Sequence, residues 1–308
     1  MNNHPLVSVV VVTYNSSKTI LQTLDSIKCQ TYADIELIIS DDCSNDNTIE
    51  LCNNWLSDCS DRFVRAIIVT SKTNTGVPSN FNRGVMASTG VWIKTIAGDD
   101  LLEENAVEKY IDYVTDNLEV DIVFGRSKIF VEDEKGNKSY RNIIPNDNQL
   151  DFYLMSSEEQ ALSLVQYNNI PAATSFIKRE LLVKFPFDES YKYMEDYPYW
   201  VKITRLGYKL YFMDNLTVYY RKGAESLTTS KKTLYNTAFM ECSKLFYLKE
   251  RRKEIFLHNY SLFIDREIYY HIYDFARLFL NNRNTRLNIL ILRIVKLIAK
   301  LKIKNIQL

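Results

Sequence analysis

Residues 7–12 read Val-Ser-Val-Val-Val-Val, and the turn-forming run Thr13-Tyr14-Asn15-Ser16-Ser17 follows at once. A near-continuous β-branched run offers water no polar face, so it predicts a strand buried on both sides, as in parallel sheets. Helical spacing follows over 18–30 through Ile20, Leu21, Leu24 and Ile27. The alternation then repeats: a strand at 35–40 ending in Asp41-Asp42, a helix at 48–56, and a strand at 65–70. A loop at 72–80 leads to a helix over 80–88, and a strand at 90–97 runs into Asp99-Asp100. This cadence predicts an α/β fold, a mainly parallel central sheet flanked by helices with right-handed crossovers. Ligands of such sheets bind outside the carboxyl ends of the strands. Thr13-Tyr14-Asn15, Asp41-Asp42 and Asp99-Asp100 all fall at those ends and should share one crevice.

Further along, 103–115 reads as a helix, and 121–144 as two strands around a Gly136-Asn137 turn. A strand is expected at 172–178, a helix ending before Gly207, two short strands within 209–222, and aromatic-rich helices over 231–281. The domain boundaries expected are 1–228, 229–282 as a helical extension, and 283–308 as a basic tail.

Net charge is zero, but it is unevenly placed. Residues 283–308 hold seven Lys or Arg and no Asp or Glu, which leaves 31 basic against 38 acidic residues, net −7, in the other 282. Five cysteines without a C-x-x-C pair disfavour a disulfide framework or a zinc site. The N-terminus lacks a basic leader, and no apolar run approaches the roughly 20 residues of a spanning helix. A cytoplasmic protein is expected. His4, His258 and His271 lack metal-ligand spacing, and the G-x-S-x-G, Walker and G-x-G-x-x-G patterns are all missing, which sets several enzyme classes aside.

Three acidic pairs are left to explain. Asp99-Asp100 precedes a helix, and one Asp caps a helix well. Two adjacent like charges repel, however, and a divalent cation held by carboxylates and substrate phosphates would offset them. Gly-Asp-Asp also occurs in template-directed RNA polymerases, so the tripeptide alone does not decide. At Asp41-Asp42, Asp46-Asn47-Thr48 makes the better helix cap, which leaves Asp42 less explained. Asp196 of Glu195-Asp196, followed by Tyr-Pro, fits an N-cap. It also fits a general base, with Tyr197 and Trp200 beside it to hold a sugar.

The order of four segments resembles the family 2 glycosyltransferases with their GT-A-type fold. These are VSVVVVTYNSSKTILQTLDSIKCQTYADIELIISDDCSNDNT, NTGVPSNFNRGVMASTGVWIKTIAGDD, MEDYPYWVKITRLGY and VYYRKGAES. The resemblance spans roughly residues 6–228. It implies that Thr13, Tyr14, Asn15 and Asp42 line a nucleotide pocket, with Tyr14 near uracil and Asp42 binding it. It implies that Asp99 contacts ribose or diphosphate, that Asp100 ligates Mn²⁺ or Mg²⁺, and that Glu195 belongs to the donor site. Asp196 would deprotonate the acceptor hydroxyl in a single inverting displacement.

Two positions depart from the family pattern. Phe81 stands where many relatives have Arg, with Arg83 two residues on, and Gly223 stands where many have His. Arg221 and Lys222 are then candidates for the diphosphate. The tail mixes Leu287, Leu290, Ile294, Leu297 and Leu301 with its cations, as a helix lying in a headgroup layer does; a helix packed on the protein body is the alternative. The resemblance extends to bacterial enzymes of O-antigen or capsule synthesis. It implies transfer of glucose or galactose from a UDP-sugar to a lipid-linked saccharide such as GlcNAc-diphosphoundecaprenol, at the cytoplasmic face of the inner membrane. No nucleic-acid partner is expected. A nucleotidyltransferase would want a Gly-rich basic loop in place of Tyr-Asn-Ser-Ser. A non-catalytic sugar-binding relative is the remaining alternative.

Overall fold

The computed structural model describes residues 4–223 and 233–304, with side chains through residue 298. The chain divides into two compact units, 1–223 and 224–308. The expected boundary at residue 228 lies outside the described residues.

The first unit opens with β1 (Val7–Thr13), α1 (Ile20–Lys28), β2 (Ile35–Asp41), α2 (Thr48–Cys59), β3 (Arg65–Thr70), α3 (Val77–Ala87) and β4 (Trp92–Ala97). The strands pair in parallel in the order β3-β2-β1-β4. Every residue of β1 and β2 is buried, as their apolar runs require. Ile20, Leu24 and Ile27 of α1 close one face of the core with Val9, Leu37 and Ile96.

The rest of the sheet is mixed. It holds β5 (Leu101–Leu102), β6 (Ile122–Glu132), β7 (Lys138–Ile144), β8 (Phe176–Lys178) and β9 (Tyr211–Arg221). Strand β8 runs antiparallel to both β4 and β6, β9 lies parallel to β6, and β5 lies antiparallel to β9. Helices α4 (Ala106–Asp116), α5 (Asp151–Leu154), α6 (Ser157–Gln166), α7 (Arg179–Lys184) and α8 (Asp196–Arg205) fill the connections.

Several boundaries differ from expectation. Helix α3 begins at Val77, because Pro78 is tolerated in a first turn that has no N–H partner to lose. Helix α4 begins three residues late: Leu101-Leu102 is a strand, and the Glu103 N–H donates to the Thr217 carbonyl at 2.9 Å. The two strands expected in 209–222 are one. The Asp214-Asn215 break is a bulge, since two steps from Phe124 to Arg126 face four from Phe212 to Leu216.

The second unit contains α9 (Thr237–Phe246), a π-helical turn at Tyr247–Arg251, α10 (Arg252–His258), α11 (Tyr260–Phe279) and α12 (Arg286–Lys304). Tyr247 stacks on Tyr270, and Lys244 pairs with Asp274 at 2.7 Å, tying α9 to α11. Among the described residues, no helix is long and apolar enough to cross a membrane.

Candidate active site

The carboxyl ends of β1 and β2 are stitched together by side chains. The Thr13 hydroxyl donates to Asp41 Oδ1 at 2.7 Å, and the Ser44 N–H donates to Asp41 Oδ2 at 2.8 Å. Asn15 adopts a left-handed backbone, φ 53°, which Asn tolerates better than most residues. Its N–H donates to Ser44 Oγ, and its Oδ1 accepts from the Asn45 N–H, both at 2.8 Å. Asp46 serves the start of α2 as expected, accepting from the Thr48 N–H at 3.1 Å. Thr13 and Asn15 therefore shape the loops that frame a pocket, and Tyr14, 46% exposed, is the side chain left open on them.

Asp42 is buried and fully engaged. Its Oδ1 accepts from the Thr75 hydroxyl and Arg83 Nη2, and its Oδ2 from the N–H groups of Thr75 and Gly76. A carboxylate has about four lone-pair directions, and all are taken. These bonds and the Arg83 ion pair hold its pKa low, against the opposing effect of burial. Arg83 also donates to the Asp41 carbonyl and to Asn80 Oδ1.

The next pair hangs between β4 and β5. Gly98 allows the turn, because a Cβ there would lie 3.0 Å from Thr13 Cγ2 and 3.2 Å from Ile20 Cδ1. Thr19, just before α1, and Thr23 within it donate to the carbonyls of Gly98 and Asp100, each at 2.8 Å. Asp99 points outward, whereas Asp100 is buried. Arg221 holds both: its N–H donates to Asp100 Oδ1 at 2.8 Å and its Nε to the Asp99 carbonyl at 2.7 Å. Its other nitrogens bind Glu132 and Gln22, and its guanidinium lies 4.6 Å above the Phe130 ring. Arg221 is thus a clamp, and its guanidinium is not free for a diphosphate. Burial and the Asp99 charge raise the Asp100 pKa well above the carboxylate range, outweighing the Arg221 bond and the more distant Lys94. Lys94 itself is fully buried, donates to the Thr95 and Ala173 carbonyls, and has its pKa pushed down to about 7 by burial.

Glu195 and Asp196 sit at the start of α8, half-buried. Burial and then the Asp196 charge push Glu195 up to about 8; burial raises Asp196 too, against hydrogen bonds from the Tyr197 N–H and Asn168. The Val77 N–H donates to the Lys192 carbonyl at 3.1 Å, so the segment leading to this pair is tied to the loop that binds Asp42. Both acidic pairs act on one group, the Tyr220 hydroxyl, whose pKa is raised by burial and then by Asp100, Asp99, Asp196 and Glu195. The expected sugar platform is not there. Trp200 is 1% exposed and packs edge-on against Phe124 in the core, while the Tyr197 hydroxyl donates to the Leu164 carbonyl.

A sequence model described as Glycosyl transferase family 2 matches residues 8–182, more than half of the chain. The chain belongs to that family. An uncharacterized glycosyltransferase of Haemophilus influenzae is 27% identical over 248 residues, covering 79% of this chain and 72% of its own. Among solved structures, residues 1–349 of Staphylococcus aureus TarS in complex with UDP-GlcNAc align with TM-score 0.58 and 18% identity. That match covers 81% of this chain and 66% of TarS 1–349. The mannosyltransferase PcManGT from Pyrobaculum calidifontis, in complex with GDP-Man and Mn²⁺, aligns with TM-score 0.53 and 18% identity, covering 73% and 59%. The fold is of GT-A type, and the chain is a glycosyltransferase.

Its family-2 site fits a cation in one particular way. Among the described residues, no three His, Cys, Asp or Glu side chains form a metal cage. A buried Asp100 whose own surroundings leave its negative charge under-compensated suits a hard cation that takes one or two carboxylates and completes its shell from phosphates and water. The family's departures are also accounted for in part. Phe81 packs in the core against Phe187, and Arg83 reaches the carboxyl edge instead, where it serves Asp42.

Proposed function

We propose that this glycosyltransferase moves a hexose, glucose or galactose, from a UDP-sugar to a lipid-linked saccharide such as GlcNAc-diphosphoundecaprenol, with inversion, in O-antigen or capsule synthesis. The observation that carries this reading is the placing of buried Asp42 and Asp100 at the carboxyl ends of β2 and β4, with the segment before Glu195-Asp196 tied through Val77 and Lys192 to the loop that binds Asp42. Tyr14 lies near the uracil, and Asp42 binds it by exchanging the bond from the Thr75 hydroxyl for one from the base N–H, while the Thr75 N–H, Gly76 N–H and Arg83 bonds are kept. Asp99 and Glu195 border the ribose, diphosphate and sugar. Asp100 would hold Mn²⁺ or Mg²⁺, which would supply positive charge against the diphosphate.

Asp196 accepts the proton of the acceptor hydroxyl. That oxygen forms the new bond to the anomeric carbon, and the old carbon–oxygen bond breaks with its electron pair going to UDP. Burial suits Asp196 to this task, because a raised pKa makes a carboxylate a stronger base. The ligands of the TarS and PcManGT complexes, a UDP-sugar in one and a GDP-sugar with Mn²⁺ in the other, agree with a nucleotide-sugar donor and a divalent cation.

For the acceptor, α12 supplies the argument. Leu287, Leu290, Ile294 and Leu297 recur at helical spacing and are each about half exposed or more, beside Arg286, Arg293 and Lys296. An apolar stripe flanked by cations suits an anionic leaflet, and we place the protein on the cytoplasmic face of the inner membrane.

The deciding experiment is calorimetric binding of UDP with and without Mn²⁺ to the wild type and Asp100→Ala, followed by transfer assays on Asp196→Asn. Binding that needs Mn²⁺ and is lost in Asp100→Ala, with transfer lost but binding kept in Asp196→Asn, is the expected result. Absence of UDP binding in the wild type would leave a different nucleotide or a non-catalytic relative.

A further inference from the structure

Strand β9 carries three consecutive residues with different surroundings. Tyr219 packs against Tyr140, ring centroids 5.6 Å apart, and Arg221 reaches inward over Phe130. Tyr220, between them, points to the opposite side of the strand by the alternation of β structure. It is 42% exposed, and among the described residues its ring and hydroxyl have no hydrogen bond and no aromatic partner. The β5–β9 ladder pairs Leu101 with Tyr219 antiparallel. One step further along this register sets Asp100 opposite Tyr220, and the Arg221 N–H bond to Asp100 Oδ1 confirms that the carboxylate lies beside this stretch.

An exposed tyrosine on a strand needs no special reason, since aromatic residues suit strands. Position gives Tyr220 one. The proposed reaction sets the donor's diphosphate at Asp100, and Tyr220, opposite Asp100 in the strand register and open to solvent, stands where the sugar carried on that diphosphate can reach its hydroxyl. A tyrosine hydroxyl ordinarily titrates at about 10, so at neutral pH it is a neutral O–H donor. Its natural partner is an oxygen of the sugar, for the carboxylates themselves are assigned to cation, acceptor and ribose.

We propose that Tyr220 is a substrate-contacting residue whose hydroxyl donates a hydrogen bond to the transferred sugar of the donor. This rests on the functional reading above and adds the group that recognises the sugar ring.

The test uses the full chain as wild type, Tyr220→Phe and Tyr220→Ala, with Mn²⁺ and calorimetry of UDP, UDP-glucose, UDP-galactose and UDP-GlcNAc. UDP affinity should stay unchanged in Tyr220→Phe, while the best-bound UDP-sugar weakens about 3- to 10-fold, the worth of one hydrogen bond. Its kcat/KM should fall at least as far. Equal UDP-sugar affinity and turnover in wild type and Tyr220→Phe would overturn the proposal and leave Tyr220 an edge residue. An equal loss for UDP and UDP-sugar would also overturn it, placing the contact at the diphosphate. A wild type that binds no UDP would overturn the functional reading, and one that binds UDP but none of the sugars would overturn the donor assignment with Tyr220. Tyr220→Phe keeps the ring, so it stays informative even if Tyr220→Ala unfolds.

Discussion

The backbone N–H of Arg221 donates to Asp100 Oδ1 at 2.8 Å, while its Nε donates to the carbonyl of Asp99. One residue near the end of the described first unit thereby holds the Asp99 backbone and the Asp100 carboxylate, some 120 positions upstream. Its ion pair with Glu132 is nearly sealed from water, the side chains being 9% and 16% exposed. Arg221→Ala should lower the unfolding free energy by about 3 kcal/mol, the cost of leaving one partner of such a pair alone. It should also weaken Mn²⁺-dependent UDP binding by about 10-fold or more, because a shift of that size costs about 1.4 kcal/mol. Arg221→Lys recovers little, as an ammonium cannot serve Glu132, Gln22 and Asp99 as a planar fork does. Urea unfolding and calorimetry check both effects, and undiminished binding by a folded Arg221→Ala would refute the clamp.

Gly76 joins the two halves of the site. Its φ of 96° disfavours any side chain, and a Cβ would come within 2.4 Å of Lys192 Cγ and 2.7 Å of the Lys192 carbonyl oxygen. Gly76→Ala should therefore cost about 1–3 kcal/mol from the backbone alone, because φ 96° with ψ 166° is a region nearly confined to glycine. It should depress kcat more than UDP affinity, because the displaced neighbour leads to Glu195-Asp196. Thermal unfolding with steady-state kinetics tests this. A variant with normal kcat would show that the Lys192 segment does not position the base.

The pair at 195–196 sets a pH dependence with two opposite signs. A base must be ionised, and burial raises both groups, Glu195 to about 8, so kcat/KM should climb with pH beyond the ordinary carboxylate range. The fold favours the protonated forms. The stability this lends is complete below the ordinary value of 4.5 and is lost as pH rises through about 8. Rate and thermal midpoint should thus move in opposite directions between about pH 6 and about pH 9. A kcat/KM that stops rising within the ordinary carboxylate range would remove Asp196, whose pKa burial raises, as the rate-determining base.

Deleting residues 283–308 should release the protein from anionic vesicles. The segment carries seven cations. Each contributes about 1 kcal/mol near an anionic surface, so the loss should be large and should shrink with added salt. Co-sedimentation with vesicles of phosphatidylcholine and phosphatidylglycerol measures it. Equal sedimentation of full-length and truncated chains would return α12 to an internal packing role.

The parallel half of the sheet was legible because each β-branched run is local and ends in turn residues. The carboxylates at the strand ends were legible for the same reason. Arg221 as a clamp was not, since Gln22 and Glu132 lie 199 and 89 residues away in sequence. Trp200 was misread because Asp-Tyr-Pro-Tyr-Trp puts aromatics beside an acid without showing which side of α8 faces the core. Packing against Phe124 and Phe187 turns Tyr199 and Trp200 inward. Asp42 was left less explained by the sequence, because Thr75, Gly76 and Arg83 converge on it only once β2 and α3 are folded together.

Arg83 and Arg221 are both bound up with protein partners, Arg83 with Asp42 and Asn80, Arg221 with Glu132 and Gln22. Neither guanidinium is free to greet an incoming diphosphate. On the proposed reading, the anionic charge of the nucleotide is left to the cation that Asp100 would hold and to Lys222. Cation and nucleotide become thermodynamic accomplices: whatever factor one adds to the affinity of the other is returned in equal measure. A cell could therefore set the enzyme's occupancy by donor through its free divalent metal as surely as through the donor itself.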